Sequence, residues 1–81
     1  MQQIRLYTTL GCHLCEQAQN MFLYLADKDV EINKNYSLEL VEISDSNQLI
    51  EDYGVRIPVL KKNGQELAWP FSLEELINWL K

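Results

Sequence analysis

Apolar residues recur along this chain first with period two and then with period 3.6, and the switches between the two periods mark out its elements. Ile4-Arg5-Leu6-Tyr7-Thr8 is rich in β-branched and aromatic residues and runs into Thr9-Leu10-Gly11, so it reads as a strand ending in a turn. Leu14, Ala18, Met21, Phe22 and Leu25 then share a helical face, which predicts a helix starting at Cys12 or His13 and ending near Lys28. Asp29-Val30-Glu31-Ile32-Asn33-Lys34-Asn35 is polar and loses that period, and reads as a loop. Tyr36-Ser37-Leu38-Glu39-Leu40-Val41-Glu42-Ile43 places apolar side chains on both faces of a strand, the pattern of a sheet covered by helices on both sides. Strand, helix and strand in that order imply a parallel pair joined by a right-handed crossover.

In the second half, Ser44-Asp45-Ser46 offers capping oxygens before a short helix whose Leu49, Ile50 and Tyr53 share a face, with Gly54 placed to end it. Ile57-Pro58-Val59-Leu60-Lys61-Lys62 and Gln65-Glu66-Leu67-Ala68-Trp69 flank Asn63-Gly64. Those two residues supply the left-handed conformations of a type I′ turn, so the segment predicts a β-hairpin. The last helix begins with Ser72 as N-cap and Glu75 three residues on, a capping box. Phe71 and Leu76 occupy the staple positions, and Leu73, Leu76, Ile77 and Leu80 form the expected buried face. The order is βαβαββα, an α/β fold with a four-stranded mixed sheet and helices on both faces.

Eighty-one residues predict a single domain spanning 1–81 that removes only about 60% of its unfolded surface from water, and 47% apolar residues suffice for one compact core. Met1-Gln2-Gln3-Ile4-Arg5 leads straight into a strand with no apolar leader segment, and no apolar run is long enough to span a bilayer, so the expected location is cytoplasmic. Seven basic against twelve acidic residues give a net charge of −5 with no basic cluster, which argues against nucleic acid and anionic membranes as partners. The chain is expected to act as a monomer.

Candidate chemistry concentrates in Cys12-His13-Leu14-Cys15, where the first strand gives way to the first helix. A thiol at a helix N-terminus lies beside unpaired amide protons and the positive end of the helix dipole, which stabilise its thiolate. The second thiol, three residues on, is one turn away on the same face. A structural disulfide gains stability by closing a long loop, and this pair closes almost none, so redox or metal chemistry is favoured over a staple. Cys12, His13 and Cys15 offer three metal ligands, but adjacent helical residues point about 100° apart. The chain also has no second histidine and no third cysteine to complete a tetrahedral set. No metal is expected. His13 is either an exposed first-turn residue or, when protonated, a further stabiliser of the Cys12 thiolate.

With this strand-to-helix Cys-x-x-Cys, Arg56-Ile57-Pro58 before the third strand and Asn63-Gly64 between the last two, nearly the whole chain resembles a short glutaredoxin-like member of the thioredoxin-fold superfamily. The resemblance implies thiol-disulfide exchange, with Cys12 as nucleophile and Cys15 as resolver, and a cis peptide bond before Pro58. Pro58 would lie beside the cysteines, and the Ile57 backbone would pair with substrate. The sequence also departs from the family: its inner pair is His13-Leu14, no lysine stands upstream of Cys12, Arg56 replaces a threonine, and Ala68-Trp69 replaces two glycines. The redox pair therefore carries over and the glutathione site does not. No bound cofactor is expected. The substrate would be a protein or small-thiol disulfide, and glutathione or a reductase-type enzyme would restore the dithiol. His13, Arg56, Ile57, Pro58, Trp69, Phe71 and Ser72 are the candidate substrate-binding residues. Trp69-Pro70-Phe71 lines an expected apolar groove, and Arg56 and the Ser72 amide stand as partial receivers for a carboxylate. Trp79 is read as packing, and Glu39, Glu42, Asp45, Glu51 and Asp52 as a solvated acidic surface. A thioredoxin-fold adaptor that binds a partner protein without turnover is the rival reading.

Overall fold

The computed structural model describes residues 2–81. Its elements are β1 (Gln2–Thr8), α1 (His13–Lys28), α2 (Val30–Asn35), β2 (Tyr36–Glu42), a 3₁₀ turn (Ile43–Asp45), α3 (Asn47–Tyr53), β3 (Val59–Lys62), β4 (Gln65–Ala68) and α4 (Leu73–Leu80). The strands form one sheet in the order β2-β1-β3-β4. β1 runs parallel to β2, with Ile4 opposite Leu38, and antiparallel to β3, with Tyr7 opposite Val59. β3 and β4 make the hairpin, and its turn has φ of 50° at Asn63 and 81° at Gly64, the two positive values that Asn-Gly favours.

Successive side chains of a strand point to opposite faces, and the two faces of this sheet are covered unequally. Ile4, Leu6 and Leu60 face α1 and α4, packing with Ala18, Phe22, Leu25, Ile32, Phe71, Leu76 and Leu80 in the main core. Fully burying a side chain the size of Leu6 or Leu60 stabilises by about 1.5–3 kcal/mol. On the opposite face Tyr7 and Val59 pack with Ile43 and with Tyr53 of α3. Farther along that face Gln3 and Arg5 are exposed. The placement of a charged Arg5 in the central strand is thereby explained: its guanidinium reaches Glu39, its partner across the β1–β2 ladder, at 3.5 Å.

Several expectations are corrected. Residues 30–35 form a helix, because the Asp29 carboxylate caps it by accepting from the Glu31 and Ile32 amides and Ile32 turns into the core. Leu40 is half exposed, since β2 is an edge strand. Leu73 lies on the exposed side of α4. α3 ends at Gly54 with the backbone still right-handed, at φ −51°, and the glycine is required by space: a Cβ there would fall 2.5 Å from the Ile50 carbonyl oxygen. The capping box of α4 is complete, with Ser72 N–H donating to Glu75 Oε1 and Glu75 N–H to Ser72 Oγ, each at 3.0 Å. Phe71 and Leu76 are both buried beside it.

Candidate active site

The chain leaves β1 through Thr9, Leu10 and Gly11, and the positive φ of Gly11, 80°, turns it into α1. A side chain at position 11 would find open space but a strained backbone. Two contacts fix this loop. Cys12 N–H donates to the Thr9 carbonyl at 3.3 Å. Leu10 N–H donates to Glu42 Oε1 at 3.0 Å, while Glu42 Oε2 accepts from Ser44 N–H at 3.0 Å. The Ser44 amide, with help from Thr9 and Leu10, holds the Glu42 carboxyl below its usual range. Glu42 is therefore a buckle between β2 and the cysteine loop rather than part of a solvated acidic surface.

Cys12 is the N-cap of α1, with extended backbone, and its Sγ accepts the Cys15 amide at 3.1 Å. The sulfur thus takes the place that a serine or aspartate oxygen usually fills at a helix start. Cys12 and Cys15 are joined as a disulfide across 5.2 Å between Cα atoms. Cys12 is half-buried, whereas Cys15 is 2% exposed under the helix. A cavity of about 320 Å³ opens beside Cys12, with Leu10, Glu16, Gln19, Leu40 and Glu42 among its walls. Leu10 at its rim is 92% exposed.

Because Val59 pairs with Tyr7 near the end of β1, the residues just before β3 lie at the same end of the sheet as Cys12. The Ile57–Pro58 peptide bond is cis, Pro58 is buried, and its carbonyl accepts the Trp69 amide at 3.0 Å. Trp69 is half-buried and packs edge-on against Phe71, with ring centroids 5.1 Å apart. Ile57 is half-buried, and its N–H donates to the Tyr53 carbonyl at 3.1 Å.

The remaining residues predicted to bind substrate have structural partners. Phe71 belongs to the main core, and the N–H and Oγ of Ser72 are engaged by Glu75. His13 is exposed, with Nδ1 3.8 Å from Glu16 Oε2. Arg56 donates through Nε to the Asp52 carbonyl at 3.0 Å and through a terminal nitrogen to Glu66 Oε1 at 3.2 Å, and it lies over the Tyr53 ring. Tyr53 stacks on Tyr7, with centroids 4.1 Å apart, and its hydroxyl donates to Glu66 Oε2 at 2.8 Å. That hydroxyl first, and then Arg56, holds the Glu66 carboxyl below its ordinary range, while burial and the nearby carboxylate push the Tyr53 phenol up. Sequence reasoning missed Glu42 and Glu66, since each holds a partner from another element and no local pattern announces them. Among the described residues no group of three or more His, Cys, Asp or Glu side chains is arranged to hold a metal ion. No helix among them is long and apolar enough to cross a membrane.

The family model for the Glutaredoxin-like domain (DUF836) matches residues 3–81. This chain belongs to the glutaredoxin-like domain family. Its fold is similar to the X-ray structure of target protein XcR50 from X. campestris, at 37% sequence identity and a TM-score of 0.78, over 95% of this chain and 93% of that one. The solution structure of the same X. campestris protein gives 37% identity and a TM-score of 0.76, over 99% and 92% of the two chains. No curated protein matches the chain. In this glutaredoxin-like domain the Cys-x-x-Cys pair is Cys12 and Cys15, at disulfide distance.

Proposed function

We propose that this glutaredoxin-like domain is a thiol-disulfide oxidoreductase. The observation that carries the reading is the position of Cys12: its sulfur caps α1 and already accepts an amide proton from Cys15, so a thiolate formed there would be stabilised by hydrogen bonding and by the helix dipole. Cys12 is the more accessible of the two thiols and the better placed to attack. In the forward reaction its thiolate bonds to one sulfur of a substrate disulfide and expels the other as a thiolate. Cys15 then displaces the second substrate sulfur from Cys12, leaving the protein oxidised and the substrate reduced.

Pro58, Ile57 and Trp69 form the surface beside the pair in this reading. The Ile57 N–H is spent on Tyr53, so substrate pairing at that residue falls to its carbonyl. Phe71 packs against Trp69 from the core, and Arg56 and Ser72 are exposed residues held by Glu66 and Glu75. Glutathione is a weak reductant for this domain, because a partly buried indole stands where relatives leave two glycines and the Ser72 amide that would receive a carboxylate is committed to Glu75. A protein or peptide disulfide is the better substrate, and the domain works as a monomer in a reducing, cytoplasmic setting.

The test is substitution of each cysteine. Cys15→Ser is expected to accumulate mixed disulfides detectable by mass spectrometry under non-reducing conditions, and Cys12→Ser to abolish exchange. Alkylation of the reduced protein is expected to be faster at Cys12 near neutral pH. Equal trapping by both variants, or a pair that never equilibrates with a glutathione redox buffer at about −180 to −280 mV, would favour the adaptor reading instead.

A further inference from the structure

We propose that Glu42 is a positioning residue for Cys12: from β2 it holds the Leu10 amide, and so keeps the chain before α1 in the turn that delivers the Cys12 sulfur to the Cys15 amide. The inference rests on the exchange reading above and adds a residue to the machinery of the same site.

The turn is defined by one hydrogen bond and its backbone. Cys12 N–H closes on the Thr9 carbonyl, Leu10 keeps a negative φ, and Gly11 has φ of 80°. That combination is a type II turn, with Thr9 first, Leu10 and Gly11 central, and Cys12 last. The closing bond, 3.3 Å, is longer than usual, and the Leu10 side chain, 92% exposed, gives the turn no anchor in the core. The anchor is Glu42. The Thr9 carbonyl and the Leu10 N–H are the two ends of one planar peptide group and point in opposite directions. With the N–H tied to Glu42 Oε1 at 3.0 Å, the carbonyl is aimed at the Cys12 amide. The amide of Cys12 is thus occupied by the turn, and its sulfur is left to cap α1, 3.1 Å from the Cys15 nitrogen.

Glu42 is itself fixed. It sits in the β1–β2 ladder opposite Thr8, and its second oxygen accepts Ser44 N–H of the 3₁₀ turn. The Ser44 amide above all holds its carboxyl below the usual range, so near neutral pH it is an ionised acceptor. Its charge acts the other way. Glu42 and Glu16 share one cavity wall with Cys12, and a carboxylate there opposes a thiolate. His13, the remaining ionisable neighbour on α1, lies 3.8 Å from Glu16. The acceptor and the charge of Glu42 therefore push Cys12 in opposite directions, which lets substitutions separate them.

The experiment follows the ionisation of Cys12 in a Cys15→Ser protein, where it is the sole thiol, by the rate of iodoacetamide alkylation against pH. Glu42→Gln removes the charge and keeps a carbonyl oxygen for Leu10, and is expected to lower the pKa of Cys12 by about 0.3 unit. Glu42→Ala removes both, and its Cys12 is expected to titrate about 0.5–1 unit above that of Glu42→Gln, a three- to tenfold difference in ionisation constant. Leu10→Pro deletes the gripped N–H but favours the same turn through its fixed φ, and in that background Glu42→Ala and Glu42→Gln are expected to titrate alike. Equal titrations of the two without Leu10→Pro, with only their urea midpoints apart, would overturn the proposal. A gap that survives Leu10→Pro undiminished would do the same. If Glu42→Ala fails to fold, Gly11→Ala strains the same turn with open space around the added Cβ, and an unchanged Cys12 titration there counts against the proposal. Reaction of the unsubstituted, reduced protein with hydroxyethyl disulfide is read separately: its absence brings down the exchange reading, while the titrations still decide what Glu42 does.

Discussion

On one face of the sheet Ile4, Leu6 and Leu60 disappear beneath α1 and α4, sealed by aliphatic and aromatic side chains alone. On the other, Tyr7 and Val59 are covered only where α3 crosses, and beside them runs the polar chain Tyr53, Glu66, Arg56. The first face secures the sheet and α1, the helix that carries the buried Cys15. The second fixes the approach to Pro58, because the Tyr53 carbonyl at the end of α3 accepts from both the Arg56 and the Ile57 amides. Apolar packing is strong but indifferent to charge and pH, whereas a half-covered polar network is weaker and responsive to both.

The comparison is broken most sharply by cavities. Leu60→Ala, in the sealed face, is expected to cost about 2–5 kcal/mol, read as a lower denaturation midpoint in urea with little change in slope. A loss well under that range would mean that α1 and α4 can collapse onto the sheet. Tyr53→Phe, on the other face, keeps the ring stacked on Tyr7 and removes only the hydroxyl from Glu66. With that carboxylate about a third exposed, the cost near neutral pH is expected to be about 1–1.5 kcal/mol. The Glu66 carboxyl is held below its ordinary value in the folded protein, so its contribution is present above that value and lost as pH falls through the folded one. Unfolding curves of the two proteins should therefore separate at neutral pH and converge in acid. A difference that stays constant with pH would assign the effect to packing. The smallest change is expected from Ser72→Ala, about 0.5–1 kcal/mol, since the cap serves one end of one helix already anchored by Phe71 and Leu76. Its amide hydrogen exchange should rise only in the first turn of α4.

What could be read from the sequence follows from the range over which each signal acts. Asn63-Gly64, the Ser72 and Glu75 box, and Cys12 at a strand-to-helix junction are local chemistry, and each forms as the sequence pattern predicts. α2 was hidden because its six residues bury only Ile32, too little to show a period, although Asp29 before it is a strong cap. Spacing places Leu73 in the core, but a helix this short has room for only a narrow stripe against the sheet, led by Leu76 and Leu80. The partners Leu10 with Glu42 and Tyr53 with Glu66 are 32 and 13 residues apart, and only tertiary structure brings them together, the β1–β2 pairing for the first and the packing of α3 on the sheet for the second. Arg56, offered by the sequence as a free cation, is for that reason an occupied one.

β1 lies in the middle of the sheet, and that position orders events in time. Its neighbours come from downstream, Tyr36–Glu42 on one side and Val59–Lys62 on the other, so the strand that leads into Cys12 has no ladder until the first arrives and is paired on one side only until the second does. The β3–β4 hairpin needs only its own turn and closes in about 1–10 μs. The parallel crossover to β2 must first organise the intervening helices, and such non-local pairing is slow. During synthesis the two cysteines are consequently exposed to small oxidants and thiols well before the sheet exists to hold their loop. Until β2 has emerged, their reactivity is that of a solvated Cys-x-x-Cys peptide, and the setting that Pro58 gives them waits for β3.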